Sequence, residues 1–195
     1  VVTTGQIIIA TDVTTDAKRF ICRKLSIIGT SKEVPALSAL LGDKELSNMS
    51  RYALERIPAA EAGAAMRQAL PKLPDALKVG TIGSLGVRGD TASVAALVGL
   101  LGNADPAIAR AAACALGNIG SPEAGKALGN FANKAPEGVK PAVVDAALVC
   151  AERLLADGKK AEALALYKSL SSEDQPKHVR LAAQRGLLAG AGKKD

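Results

Sequence analysis

The chain has no tryptophan, two phenylalanines, two tyrosines, one histidine and three cysteines in 195 residues. So few aromatics cannot stack a run of bases, which argues against a single-stranded nucleic-acid groove. With His178 as the sole imidazole, no multi-histidine metal site can form. Any Ser/His/Asp or Cys/His arrangement would have to be built around that one residue. It follows Pro176 at a helix start and is expected to face solvent. Cys22, Cys114 and Cys150 are odd in number and form no CxxC, which sets aside a disulfide framework and a zinc site. No apolar run approaches the roughly 20 residues needed to cross a bilayer, so the chain reads as soluble, with no membrane partner. It opens on Val1 without a basic-then-apolar leader. The expected compartment is the cytoplasm or, if a signal peptide has been removed, the periplasm.

What is present is alanine and leucine. Apolar residues make up 48% of the chain, ample for a core, and small side chains allow helices to pack closely. The formal net charge is +6, part of it from Lys193 and Lys194 in the tail, a mild bias toward an anionic partner.

Organisation lies in an internal repeat. The segments KLSIIGTSKEVPAL (24–37), ALERIPAAEAGAAM (53–66), SLGVRGDTASVAAL (84–97) and ALGNIGSPEAGKAL (115–128) fall in register. Their leucines, Leu25, Leu54, Leu85 and Leu116, are 29, 31 and 31 residues apart, and a looser copy, RLLADGKKAEALAL, covers 153–166. Each period predicts two helices. The first-type helices are expected at 31–41, 60–70, 91–101, 121–133 and 159–170. The second-type helices are expected at 15–28, 45–57, 74–88, 105–119, 140–156 and 175–189. Thr15-Asp16, Pro74-Asp75, Asp105-Pro106, Ser121-Pro122 and Gln175-Pro176 supply start signals. Gly29, Gly89, Gly120 and Gly158 are expected to stop helices in the left-handed conformation, with Pro58 in that place once.

The stretch LGNADPAIARAAACALGNIGSPEAGKAL (101–128) resembles HEAT repeats, especially the short variety named after phycobilisome lyases. The resemblance runs from about residue 15 onward. It implies an all-α fold, a right-handed α-α superhelix of about five helical hairpins. On that basis the chain divides into an N-terminal arm or cap (1–14), a repeat array (15–190) and a disordered tail (191–195). Residues 1–13 are rich in β-branched side chains, so an arm, a cap or the remnant of a truncated repeat all remain open. Neither end reads as fully capped, which predicts a segment of a larger protein, bacterial by the resemblance, or end-to-end self-association.

The glycines of KVGTIGSLGVRG (78–89) belong to this register. Gly80, Gly83, Gly86 and Gly89 align with Ala111, Cys114, Gly117 and Gly120, inside a helix and its stop, not in the strand-to-helix turn of a phosphate loop. Projected at 100° per residue, Ala17, Ile21, Leu25 and Ile28 form the core stripe of one copy and Ile108, Ala112, Leu116 and Ile119 that of another. The opposite face carries Arg19, Arg23 and Ser26, then Asn48, Tyr52 and Glu55, then Val79, Gly83 and Gly86, then Arg110, Cys114 and Gly117. The resemblance implies that second-type helices line a concave surface. The glycines then either floor a smooth trough edged by guanidinium groups or allow neighbouring repeats to approach closely.

The expected role is a non-catalytic scaffold binding a protein or peptide, with acidic side chains suited to the arginines. The partner-binding residues expected are Arg19, Arg23, Asn48, Tyr52, Gly83, Gly86, Arg110 and Cys114. Arg110, Lys78 and Arg180, with Asp75, Asp105 and Asp174, also fit the turn-to-helix ladder that links HEAT repeats. Cys114 has only Arg110 nearby to lower its pKa and reads as inert. Glu152, Asp145 and Asp157 read as a solvated face, so no catalytic residue, metal or cofactor is expected. Two alternatives follow from the resemblance, a nucleic-acid-binding protein related to HEAT-like DNA glycosylases and a bilin lyase-like enzyme. Only Tyr52 among the aromatics reaches the concave side, so nucleic acid is not the expected partner.

Overall fold

The computed structural model describes residues 4–192 and contains, among them, helices and no strand. The helices are α1 (Thr4–Ile9), α2 (Thr15–Ile28), α3 (Val34–Ala39), α4 (Ser47–Arg56), α5 (Ala60–Ala69), α6 (Asp75–Val87), α7 (Val94–Leu100), α8 (Pro106–Ile119), α9 (Pro122–Ala132), α10 (Lys140–Ala156), α11 (Lys160–Leu170) and α12 (Lys177–Gly192). Short 3-10 turns, Ser31–Glu33, Leu70–Lys72 and Thr91–Ser93, precede α3, extend α5 and precede α7.

The chain divides into two compact units, one ending at Arg88 and the other starting at Gly89. In the first unit the odd helices α1, α3 and α5 pack in sequence, and the even helices α2, α4 and α6 do the same. In the second unit α7, α9 and α11 form one layer and α8, α10 and α12 the other. Each unit is thus a stack of three helical hairpins. The described residues hold six hairpins, where the repeat pattern led to about five. The extra one arises because α1 supplies the first-type helix of the opening hairpin, its Ile8 fully buried, despite the β-branched run around it. The expected 1–14 boundary therefore falls inside a hairpin. At the other end, residues 191 and 192 of the expected tail belong to α12, and 193–195 lie outside the described residues.

Local chemistry explains the boundaries. Thr14 Oγ1 accepts the Ala17 amide at 3.3 Å, Asp105 Oδ1 the Ala107 amide at 2.8 Å, and Ser121 Oγ the Ala124 amide at 3.1 Å. Thr30 and Glu33 form a reciprocal capping box. The Thr30 amide and hydroxyl both donate to Glu33, at 2.8 Å each, and the Thr30 amide leads the contacts that hold the Glu33 carboxyl below its ordinary pKa. At the stops, Gly89, Gly120 and Gly158 have φ of 66°, 66° and 76°. An L side chain at Gly120, the C-cap of α8, would strain that turn. Gly29 differs from expectation, with φ −66° and ψ 148°, an extended residue. It is small for another reason: a Cβ there would collide with the Leu25 carbonyl oxygen and lie 2.9 Å from Ile57 Cδ1.

The aligned leucines are core. Leu25, Leu54, Leu85, Leu116 and Leu154 are 4% exposed or less, and cutting one to alanine costs about 2–5 kcal/mol. Of the stripe predicted for the fourth copy, Ile108, Ala112 and Leu116 are buried and Ile119 is half-buried. In the first copy Ala17 and Ile28 are exposed and Ile21 is half-buried. As the first even helix, α2 packs on α4 with no even helix before it, which leaves Phe20, Ile27 and Ile28 facing outward.

Candidate interaction surface

In the first unit, the exposed face of α2, α4 and α6 carries most of the predicted residues. Arg23 and Asn48 are exposed, and Tyr52 is 38% exposed with the Arg56 guanidinium stacked 3.6 Å from its ring centre. Arg19 is half-buried and donates to Asp16 at 3.2 Å and to the Glu45 carbonyl at 3.5 Å, tying α2 to the turn before α4. Glu55 faces inward more than expected, accepting from Ser84 at 2.7 Å and pairing with Arg56 at 3.3 Å.

The four glycines at three-residue spacing have four different surroundings. A Cβ on Gly80 would sit 2.5 Å from Arg51 Cζ, so this glycine makes room for a guanidinium. Arg51 donates to Ser84 and to Asn48, both at 3.4 Å, and its Nε has no partner. Desolvation lowers the Arg51 pKa, partly offset by the charge of Glu55. Gly83 is exposed, and a Cβ there would meet nothing within 4 Å. Gly86 is buried, which removes it from the predicted floor, and Gly89 is the stop.

Sequence projection missed Arg51 and Arg88. Arg88 donates to the Leu54 carbonyl at 2.9 Å, to that of Glu55 at 3.4 Å and to those of Ile57 and Ala59, satisfying the end of α4 and the turn beyond it. The available signal was an arginine at the end of one second-type helix, following a repeat whose stop is Pro58 instead of glycine. Lys78 pairs with Asp75 of its own helix at 2.9 Å, not with a neighbouring repeat.

In the second unit, Arg110 and Cys114 are exposed on α8. Arg110 donates to the Gly138 carbonyl at 3.2 Å, the same tie that Arg19 makes one turn before α4. Asp105 instead caps α8. Gly117 is buried against α10, where a Cβ would lie 2.7 Å from the Ala146 carbonyl oxygen. Close approach, not a bare trough, explains this glycine. The Cys114 thiol is raised in pKa, first by desolvation and then by Asp145, while burial pushes Cys22 and Cys150 up to about 11. His178 is exposed on α12, and among the described residues no group of three or more His, Cys, Asp and Glu side chains converges as a metal site. The exposed even-helix face of the first unit therefore presents guanidinium groups, an aromatic ring and bare backbone. None of the three thiols is shifted toward the thiolate.

Residues 63–147 match the HEAT repeats family model. No curated protein matches the chain. Among solved structures, one engineered protein of the Northeast Structural Genomics Consortium is 21% identical, with 96% of each chain covered and a TM-score of 0.44. A second engineered protein from the same consortium is 20% identical over 97% of this chain and 61% of that one, with a TM-score of 0.39. No helix of the described residues is long and apolar enough to cross a membrane.

Proposed function

We propose that this chain, whose residues 63–147 are HEAT repeats, is a non-catalytic scaffold that binds a protein or peptide on the exposed face of its even helices. The carrying observation is Gly83, exposed on α6 with 4 Å clear above it, in the layer whose neighbouring helices present Asn48, Tyr52 and Arg23. A missing side chain lets a ligand approach the helix backbone, and the arginines favour carboxylates. In the second unit, considered by itself, Arg110 and Cys114 are exposed on α8. Arg19 and Arg110 also hold turns through carbonyl contacts, so each retains only part of its guanidinium for a partner.

The test is a pull-down from lysate of the source organism with the unaltered protein, Gly83→Leu and Arg23→Glu/Arg110→Glu, each checked for helicity. A partner captured by the first and lost by both variants supports the reading. Capture unchanged by every variant places binding elsewhere. Nucleic acid eluting in place of protein, with affinity falling steeply as salt rises, would favour the glycosylase-like alternative.

A further inference from the structure

The odd-helix layer of the second unit carries an open groove of about 910 Å³ between α7 and α9. Its α7 wall is unusual. From Thr91 to Gly102 there is no charged residue, and Ala92, Ala95 and Val98 lie exposed along it. The α9 wall carries Ala127 and Phe131 at the groove, with Glu123 and Lys126 exposed beside them and Lys134 exposed in the turn just past the end of the helix. These lysines are eight residues apart in the chain, one on α9 and one in the turn that follows it. The Lys134 ammonium lies 6.0 Å from the Phe131 ring, and neither lysine has an ion pair among the described residues.

An apolar wall faces one on which two cations outnumber a single carboxylate, a balance that favours an acidic occupant. We infer that the α7–α9 groove docks an amphipathic helix of a partner protein, apolar side chains against Ala92, Ala95 and Val98 and carboxylates against Lys126 and Lys134. Small side chains on α7 let a third helix approach to ordinary packing distance, and the paired lysines fix its register. A flexible segment with the same side chains would have to be ordered on binding, whereas a helix presents carboxylates eight residues apart on one side without that cost. This surface lies on the layer opposite Arg110 and Cys114, and the inference stands apart from the even-helix proposal.

The probe is a fluorescent synthetic amphipathic helix with leucines on one face and glutamates eight residues apart on its flank. Its companion carries lysines in place of those glutamates, and both are followed by anisotropy with the full chain. The acidic peptide is expected to bind at least about tenfold more tightly than the basic one. Lys126→Glu/Lys134→Glu should weaken it about tenfold and improve the basic peptide. Ala95→Glu, placed on an exposed position of the wall, should abolish binding of the acidic peptide, whereas Arg23→Glu/Arg110→Glu should change it less than twofold. Equal binding of the two peptides, or loss in the arginine variant and not in the lysine variant, overturns the proposal. Binding of anionic vesicles but of neither peptide overturns it too, by replacing a protein helix with a lipid surface.

Discussion

Both units stack three hairpins, yet they join them by different means. The first unit joins its even helices with long polar side chains. Arg51 lies over Gly80, Arg88 grips the carbonyls at the end of α4, Arg19 reaches the turn before α4, and Ser50 and Ser84 are buried with partners. The second unit keeps one such tie, from Arg110 to the Gly138 carbonyl, and otherwise joins its helices by removing side chains. Gly117 meets the Ala146 backbone, and Gly125 sits under Leu166, Cys150 and Leu154. Around them Ala109, Ala112, Ala113, Ala147 and Ala151 are buried. One repeat pattern thus supports hydrogen-bonded joints or close-packed ones. The two kinds fail differently, because a lost donor leaves carbonyls unpaired while an added methyl collides with backbone.

The largest effect should come from Arg88→Ala, which strips the charged donor from four carbonyls and is expected to cost about 3 kcal/mol. Denaturant unfolding of variant and unaltered protein measures it, and a change below about 1 kcal/mol would show that water replaces the guanidinium. In the second unit, Gly117→Ala should cost about 1–3 kcal/mol, since backbone and not a flexible tip stands 2.7 Å from the new carbon. The corresponding change at Gly80 meets only the tip of Arg51. There the gain in helix propensity of about 1 kcal/mol should nearly cancel the displacement. A double-mutant cycle with Arg51→Ala sharpens this, because Gly80→Ala should become clearly stabilising once the guanidinium is gone. Gly83→Ala, with open space above it, should stabilise by up to about 1 kcal/mol. The smallest effect is pH-dependent. Glu33 has a lowered folded-state pKa, so its contribution is present above the ordinary carboxylate range and disappears as pH falls through the lowered value. Stability of Glu33→Gln should therefore lag the unaltered protein near neutrality and converge with it on acidification.

The sequence made the register legible because one leucine per period meets the same surroundings each time, as Leu54, Leu85 and Leu116 do. Capping residues were equally readable, since Asp105 and Ser121 act on amides two or three residues away. What projection onto a wheel lacks is the neighbour. It gives the direction of Ile28 and Ile119 alike, but whether another helix lies there depends on position in the stack. The same gap misplaced Gly86 and Gly117 on the expected floor when both are buried. Arg51 and Arg88 escaped because a long side chain leaves the direction of its own Cα, and its partners are carbonyls that any sequence supplies. Of the predicted surface, Arg23, Asn48, Tyr52, Gly83, Arg110 and Cys114 are exposed.

The three thiols have a practical consequence. Cys22 is sealed in the first unit, Cys150 is sealed in the second, and Cys114 alone lies at the surface. Alkylation by iodoacetamide followed by intact mass should therefore record a single slow adduct on the folded chain. Each further mass step would announce the opening of one particular unit, assigned by peptide mapping without any introduced label. Whether the steps arrive together or separately reports directly whether the two stacks melt as one.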